Sequence, residues 1–248
     1  MTALDPGILE AFDQHQRRAI SLLGQITGEL AVGLSEVDVD ELIRDKALAA
    51  GFDRWFHPPE VRIGARAVDD KLRPRPSSKA RIQAGDPVVL SLAPASSEAF
   101  GEVGTTVVLD ADEPGLLSIA RECTRGCMGY ASHLKTVGEI FVFAKAWAVN
   151  HRLTLSNPRS IGHRLLPKNG TLRDHDYPHT AHFATWLRRH QVHFLNPSRV
   201  DGMWMMRPLV SDGKFAASFA EVIYINGDEK RILGRDNIAE VGLFPSAE

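Results

Sequence analysis

The chain has 248 residues, of which 44% are hydrophobic and 24% are charged, proportions that exclude disordered and fibrous proteins. Its formal net charge of −2 provides no broad basic surface, so we expect no nucleic-acid partner. The chain shows no secretory signal and no run of about 18 apolar residues, so we expect a cytoplasmic protein with no membrane partner. Its length predicts a single domain over residues 1–248.

Two amphipathic helices are predicted first. Apolar residues recur at helical spacing at Ala19, Leu23, Ile26 and Leu30. This helix is expected to end near Gly33, since glycine commonly follows the last helical residue. A second helix is expected to begin after Ser35, where Asp38 completes a capping box, and to end near Gly51.

Strands and a second helix pair follow in chain order. Residues 56–110 contain the short β-type runs VRIG, PVVLSLA and GTTVVL, separated by turn-forming residues. A third helix is predicted over Leu116–Leu134 and a fourth from Thr136 onward. The chain then returns to strand-like runs, MWMMRPLV, FAEVIYI and RIL. This order predicts an α+β fold with two α–α–β-like halves.

Four stretches of the sequence carry a resemblance to a known fold family. They are QAGDPVVLSLAP with FGEVGTTVVL, then GEIFVFAKAWAV, then SIGHRLLP, and finally MMRPLV with FAEVIYI. Their order and spacing resemble the pita-bread fold shared by methionine aminopeptidases, prolidases and creatinase. The resemblance implies two α–α–β-like halves around a curved antiparallel sheet, and it covers nearly the whole chain.

The resemblance also identifies the positions of a metal centre. In the peptidase members, two aspartates, one histidine and two glutamates hold two divalent ions that activate a water. By motif, the aspartates correspond to Ser91 and Glu102, and the histidine corresponds to His163. The glutamates correspond to Arg207 and Glu221. Because two carboxylates are lost and a cation is added, the resemblance implies a degenerate metal site and no metal cofactor.

Creatinase offers a metal-free precedent within this superfamily, with a histidine for proton transfer and glutamates that hold the substrate. The resemblance therefore implies a metal-independent enzyme for a small amino-acid-like or amidine-like substrate, acting by C–N bond hydrolysis or related acid/base chemistry. We expect His163 to transfer the proton, with Glu102 and Glu221 as its catalytic partners. We expect Arg207 to bind an anionic group of the substrate and Ser91 to contribute a hydrogen bond.

Three further histidines are candidate substrate contacts. His57 lies in WFHPPEVRIG, which resembles a segment of some peptidase-like relatives, although a histidine beside prolines can equally be structural. His175 and His179 lie in DHDYPHTAH, near the place where the family has a substrate-contacting histidine. A surface loop rich in histidine is the alternative for this second segment.

Two alternative functions stay open. The first is a metal-dependent aminopeptidase or prolidase-type peptidase that keeps one divalent metal at Glu102, His163 and Glu221. Arg207 opposes it, because two positive charges about 4 Å apart repel by about 4 kcal/mol at an effective dielectric constant of about 20. The second is a catalytically dead peptidase-fold binding module. Relatives often pair, so the resemblance also leaves a homodimer open.

Overall fold

Along the chain, the fold consists of two pairs of helices, each followed by strands. The structure is a computed structural model that describes residues 4–68, 75–97, 99–131, 133–157, 159–165, 191–227 and 229–235. The helices are α1 (Pro6–Gly28), α2 (Glu36–Ala49), α3 (Gly115–Tyr130) and α4 (Val137–Asn150). The predicted α+β class and its two α–α–β-like halves are confirmed. No helix in these ranges is long and apolar enough to cross a membrane.

Local capping chemistry sets where the helices begin. The capping box before α2 is confirmed, because Ser35 Oγ accepts from Asp38 N at 3.2 Å and Asp38 Oδ2 accepts from Ser35 N at 2.8 Å. A second capping box of the same kind, between Thr136 and Glu139, begins α4. The third helix ends at Tyr130, four residues before its predicted end at Leu134.

The first half contains a three-stranded antiparallel sheet. Its strands are β1 (Arg54–Ile63), β2 (Pro87–Ala95) and β3 (Val103–Val108), in the order β1-β2-β3. A 3-10 turn at Gly64–Val68 follows β1. Apolar residues of α1 and α2 pack on this sheet around Ile26, Ile43 and Leu90.

The second half contains a four-stranded antiparallel sheet and a small companion sheet. The larger sheet consists of β5 (Gly162–Arg164), β6 (Gly202–Met206), β9 (Glu221–Asn226) and β10 (Glu229–Ile232), in the order β10-β9-β6-β5. The smaller sheet consists of β4 (Thr154–Leu155), β7 (Leu209–Ser211) and β8 (Ala216–Ser218), in the order β4-β7-β8. Helices α3 and α4 pack against one face of the second half, where Trp204, Met206 and Ile223 are buried.

Backbone hydrogen bonds join the sheets of the two halves. Ala220 N, just before β9, donates to Gly104 O in β3 at 2.9 Å. Thr106 Oγ1 donates to Ser218 O at 2.9 Å and accepts from Ser218 N at 2.8 Å. A Cβ on Gly104 would lie 3.1 Å from Ala220 Cβ, so glycine permits the close approach of the sheets. This junction brings strands from both halves to one place, where the candidate site lies.

Candidate active site

A buried carboxylate between two histidines is the centre of the candidate site. Glu102 lies directly before β3 and is only 1% exposed. Its Oε1 lies 3.0 Å from Nε2 of His57 in β1, and its Oε2 lies 3.0 Å from Nε2 of His163 in β5. Three segments that are far apart in sequence therefore meet at one carboxylate, and two of these residues, Glu102 and His163, were predicted to be partners.

The two histidines contact Glu102 in different ways. His57 donates from Nε2 to Glu102 and from Nδ1 to the carbonyl oxygen of Pro58, at 3.0 and 2.9 Å. Both of these oxygens only accept, so both ring nitrogens of His57 carry hydrogen in this arrangement. Nε2 of His163 faces Glu102 Oε2 at 3.0 Å without the angle of a hydrogen bond, so the contact is chiefly electrostatic.

The histidines keep Glu102 ionised despite its burial. Burial alone raises the pKa of the Glu102 carboxyl, but the electrostatic attraction of His163 and the hydrogen bond from His57 lower it well below its usual range. An ionised carboxylate with donors on both sides is the form that satisfies this buried group.

The backbone of Glu102 is held from helix α1. Gln16 Nε2 donates to Glu102 O at 2.8 Å, and Glu102 N donates to Gln16 Oε1 at 2.8 Å. A Cβ on Gly101 would lie 2.6 Å from both Ala19 Cβ and His15 O, so the helix passes close to this segment. Gln16 was not predicted from the sequence, where its one signal was a polar side chain within the apolar stripe of α1.

Aromatic rings and a close strand approach set the position of His163. Phe56 stacks on Phe100 with ring centroids 4.1 Å apart, and the centroid of the His163 ring lies 5.9 Å from that of Phe56. A Cβ on Gly162 would collide with the backbone carbonyl of Met205 in β6. Glycine before the histidine therefore allows β5 to pair closely with β6, which explains the Gly-His order in the motif.

A second charged cluster lies beside the first. Glu60 in β1 accepts from Arg207 Nη1 at 3.1 Å and also pairs with Arg62, two residues along the same strand. Burial raises the pKa of Glu60, but the charges of Arg207 and Arg62 lower it, and the resulting pKa is about 2. Glu60 was not predicted from the sequence, although the alternating Glu-Val-Arg pattern of a strand indicates two charged side chains on one face.

Ser91 lies on the same sheet face as Glu60. The strand register places Glu60 opposite Ser91, and Ser91 opposite Gly104. Ser91 is 1% exposed, and its Oγ makes no hydrogen bond to any described residue. The Arg207 side chain lies close to Gly104 in this row, because its Cδ would be 3.6 Å from a Cβ built on Gly104. Ser91 and Arg207 thus both lie beside Gly104.

Glu221 requires a correction. It was expected beside His163 and Glu102, but it pairs with Arg235 through Nε at 3.2 Å and through Nη2. The register places Glu221 opposite Met206, one row from His163, so strand alternation directs Glu221 to the opposite face. Burial raises the pKa of the Glu221 carboxyl, and the charge of Arg235 offsets only part of this rise.

The side chains of this site do not fit a divalent metal. Within the described part of the chain, no group of three or more His, Cys, Asp and Glu residues is placed to hold a metal ion. His57 has no lone pair left for a metal, because both ring nitrogens donate. The one-metal set of Glu102, His163 and Glu221 is divided between two sheet faces.

Two predicted substrate contacts fall where the structure gives no placement. His175 and His179 lie outside the described residues. His57, the third, has both nitrogens engaged by Glu102 and Pro58, so its ring offers no hydrogen-bonding group to a substrate in this arrangement.

Comparisons with known proteins agree with this geometry at the level of the fold. A family model described as metallopeptidase family M24 matches residues 10–226. An X-Pro aminopeptidase from Thermotoga maritima is similar with a TM-score of 0.71 and 13% identity, over 94% of this chain and 62% of that chain. A prolidase from Pyrococcus furiosus is similar with a TM-score of 0.71 and 15% identity, over 94% of this chain and 65% of that chain.

A shorter relative matches end to end. A methionine aminopeptidase from Rickettsia prowazekii is similar with a TM-score of 0.72 and 11% identity, over 95% of this chain and 100% of that chain. A comparison with curated proteins found no match. The chain therefore spans less than two thirds of the X-Pro aminopeptidase and the prolidase but the whole of the methionine aminopeptidase. These similarities confirm the predicted pita-bread fold.

Proposed function

Since the chain belongs to metallopeptidase family M24, we propose that it is a hydrolase that cleaves a C–N bond in a small amino-acid-like or amidine-like substrate without a bound metal ion. One observation carries this proposal. The ionised Glu102, at a position where the family resemblance puts a metal ligand, is instead held between two histidines. A histidine beside a buried carboxylate is an arrangement for proton transfer.

His163 is the group that transfers the proton. Its Nε2 faces an oxygen that only accepts, so Nε2 carries the hydrogen and Nδ1 holds the lone pair in the neutral ring. Nδ1 makes no hydrogen bond to a described residue and accepts a proton from the attacking water. The water oxygen bonds to the substrate carbon, the C–N bond breaks, and the proton passes from Nδ1 to the leaving nitrogen. Glu102 stabilises the imidazolium formed between these steps.

Arg207 and Ser91 bind the substrate in this proposal. The side chain of Arg207 is 25% exposed, and Glu60 orients its guanidinium, so a substrate can reach an arginine that is already held in place. Guanidinium binds carboxylates in a two-pronged geometry. The buried Oγ of Ser91 gains a hydrogen-bond partner when a substrate oxygen or nitrogen arrives, which offsets the cost of leaving a hydroxyl unpaired.

A substrate panel tests the proposal. The purified chain is incubated with dipeptides, N-acyl amino acids and guanidino acids, with and without a chelator, and release of the amine is measured. We expect cleavage of at least one class that the chelator leaves unchanged. His163→Gln should lower kcat by about 10²–10⁴-fold, the usual contribution of general acid–base catalysis.

A matched control isolates the chemistry from the fold. His151→Gln replaces an exposed histidine at the end of α4, whose Nδ1 lies 2.9 Å from the carbonyl oxygen of Trp147, and should leave kcat unchanged. Activity that disappears with chelator and returns with a divalent ion contradicts the metal-free proposal. Activity that survives His163→Gln contradicts the proton-transfer role.

A further inference from the structure

We infer that His57 is a positioning residue that orients the Glu102 carboxylate toward His163, a role that rests on the proposed function of His163. A carboxylate can rotate about the bond to its side chain, so its two oxygens are not fixed by the backbone alone. The hydrogen bond from His57 Nε2 to Oε1 removes this freedom and leaves Oε2 aimed at His163.

His57 is itself held in place at its other nitrogen. Nδ1 donates to the carbonyl of Pro58 at 2.9 Å, so the ring is anchored to its own strand. The pairing of β1 with β2 shifts register between His57 and Glu60, and such an irregularity changes the direction of a side chain relative to a regular strand. The ring is therefore fixed on one side by β1 and acts on Glu102 from the other side.

The burial of the pair supports the same role. His57 is 8% exposed and Glu102 is 1% exposed, so the hydrogen bond between them is shielded from water. A buried carboxylate needs such a donor, because an unpaired polar group in the interior is costly. Gln16 fixes the backbone of Glu102, and His57 fixes its side chain.

Two conservative substitutions separate positioning from a merely structural role. The amide nitrogen of a glutamine at position 57 reaches about as far as Nε2 of histidine, so His57→Gln keeps a donor for Glu102. The amide nitrogen of an asparagine reaches only about as far as Nδ1, so His57→Asn keeps a donor for Pro58 and loses the one for Glu102. A structural role predicts that His57→Asn is the milder change, whereas positioning predicts the reverse.

The measurement is ¹⁵N NMR of the histidine rings, with the His163 signals assigned by their loss in His163→Gln. In the wild-type chain we expect neutral His163 as a single tautomer with hydrogen on Nε2. His57→Gln should preserve that tautomer, and His57→Asn should give a mixture of both. The inference is overturned if His57→Asn retains the single tautomer of His163. It is also overturned if His57→Gln and His57→Asn lose that tautomer to the same extent.

Folding of the variants is checked by circular dichroism and thermal unfolding. If His57→Asn does not fold, the wild-type spectrum decides: hydrogen on both nitrogens of His57 at neutral pH supports the inference, and one bare nitrogen overturns it. Because these measurements need no substrate, the inference and the proposed function fail independently. If His57→Asn loses the single tautomer of His163 but the wild-type chain shows no measurable hydrolysis, the proposed function is contradicted. The role of His57 in positioning Glu102 is then still supported.

Discussion

Arg207 donates from Nη1 to Oε2 of Glu60 across 3.1 Å, and this contact joins residues 147 positions apart in sequence. Arg207 lies between β6 and β7 of the second half, whereas Glu60 lies in β1 of the first half. The ion pair therefore bridges the two halves beside Ser91. The motif resemblance implies that Arg207 corresponds to a glutamate of the family's metal centre.

We predict that Arg207→Met lowers the free energy of unfolding by about 2 kcal/mol, the usual cost of removing a partner from a charged hydrogen bond. Glu60 retains Arg62, so the loss should stay below that of a fully unpaired buried charge. Urea unfolding of Arg207→Met, Glu60→Gln and the double variant measures the coupling. Arg44→Met, which breaks the exposed pair with Asp40, is the control and should cost under about 0.5 kcal/mol. Strictly additive costs at positions 60 and 207 contradict the ion pair.

The pKa of Glu60 predicts how stability depends on pH. Folding lowers this pKa from about 4.3 to about 2, so the contribution of Glu60 is fully present above about pH 5 and is lost as the pH falls toward 2. At pH 7, Glu60→Gln should therefore be less stable than the wild type by up to about 3 kcal/mol. The difference should shrink steadily in urea unfolding at pH 5, 4 and 3. A difference that is constant across this range refutes the assignment.

Gln16 offers a test of how firmly Glu102 is held. Gln16→Leu leaves the buried N–H and C=O of Glu102 without their partner, so we predict a loss of about 2–4 kcal/mol in the free energy of unfolding. Gln14→Leu is the matched control, because Gln14 is exposed on the same helix and its side chain donates to the exposed Glu10. The two variants are compared by urea unfolding, and equal small effects count against the contact with Glu102.

Gly162 tests the close packing of the His163 strand. Because any Cβ there meets the backbone of Met205, Gly162→Ala should destabilise the chain by more than about 3 kcal/mol. Gly24→Ala is the opposite control: a Cβ at this exposed position of α1 meets nothing within 4 Å, so alanine should stabilise by about 0.5–1 kcal/mol. Thermal unfolding measures both changes. If the two substitutions shift the midpoint in the same direction, the packing at β5 is not as tight as described.

The helices were predictable from the sequence because their signals are local. The two residues of the capping box, Ser35 and Asp38, are three positions apart, and both hydrogen bonds of the box form as expected. The neighbours of Glu102 were only partly predictable. The family resemblance indicated His163. The contact of Gln16 with Glu102, in contrast, joins residues 86 positions apart and depends on how helix α1 packs.

Glu221 shows why motif position was insufficient for the remainder of the site. The position of Glu221 at the start of β9 matched the family pattern. The register of β5, β6 and β9, however, determines which face of the sheet Glu221 occupies. A shift of one residue exchanges the two faces of a strand, and no short sequence signal sets that register. Glu60 was missed for a related reason, since its partner Arg207 comes from the other half of the chain.

Metal binding tests the central claim most directly. Calorimetric titration of the metal-free chain with Co²⁺ or Mn²⁺ is compared with the same titration of Glu102→Gln and His163→Gln. We predict that wild type and variants give the same signal, because Glu102 is engaged by two histidines and Glu221 lies on the other sheet face. Stoichiometric binding to the wild type that disappears in both variants would contradict a metal-free site.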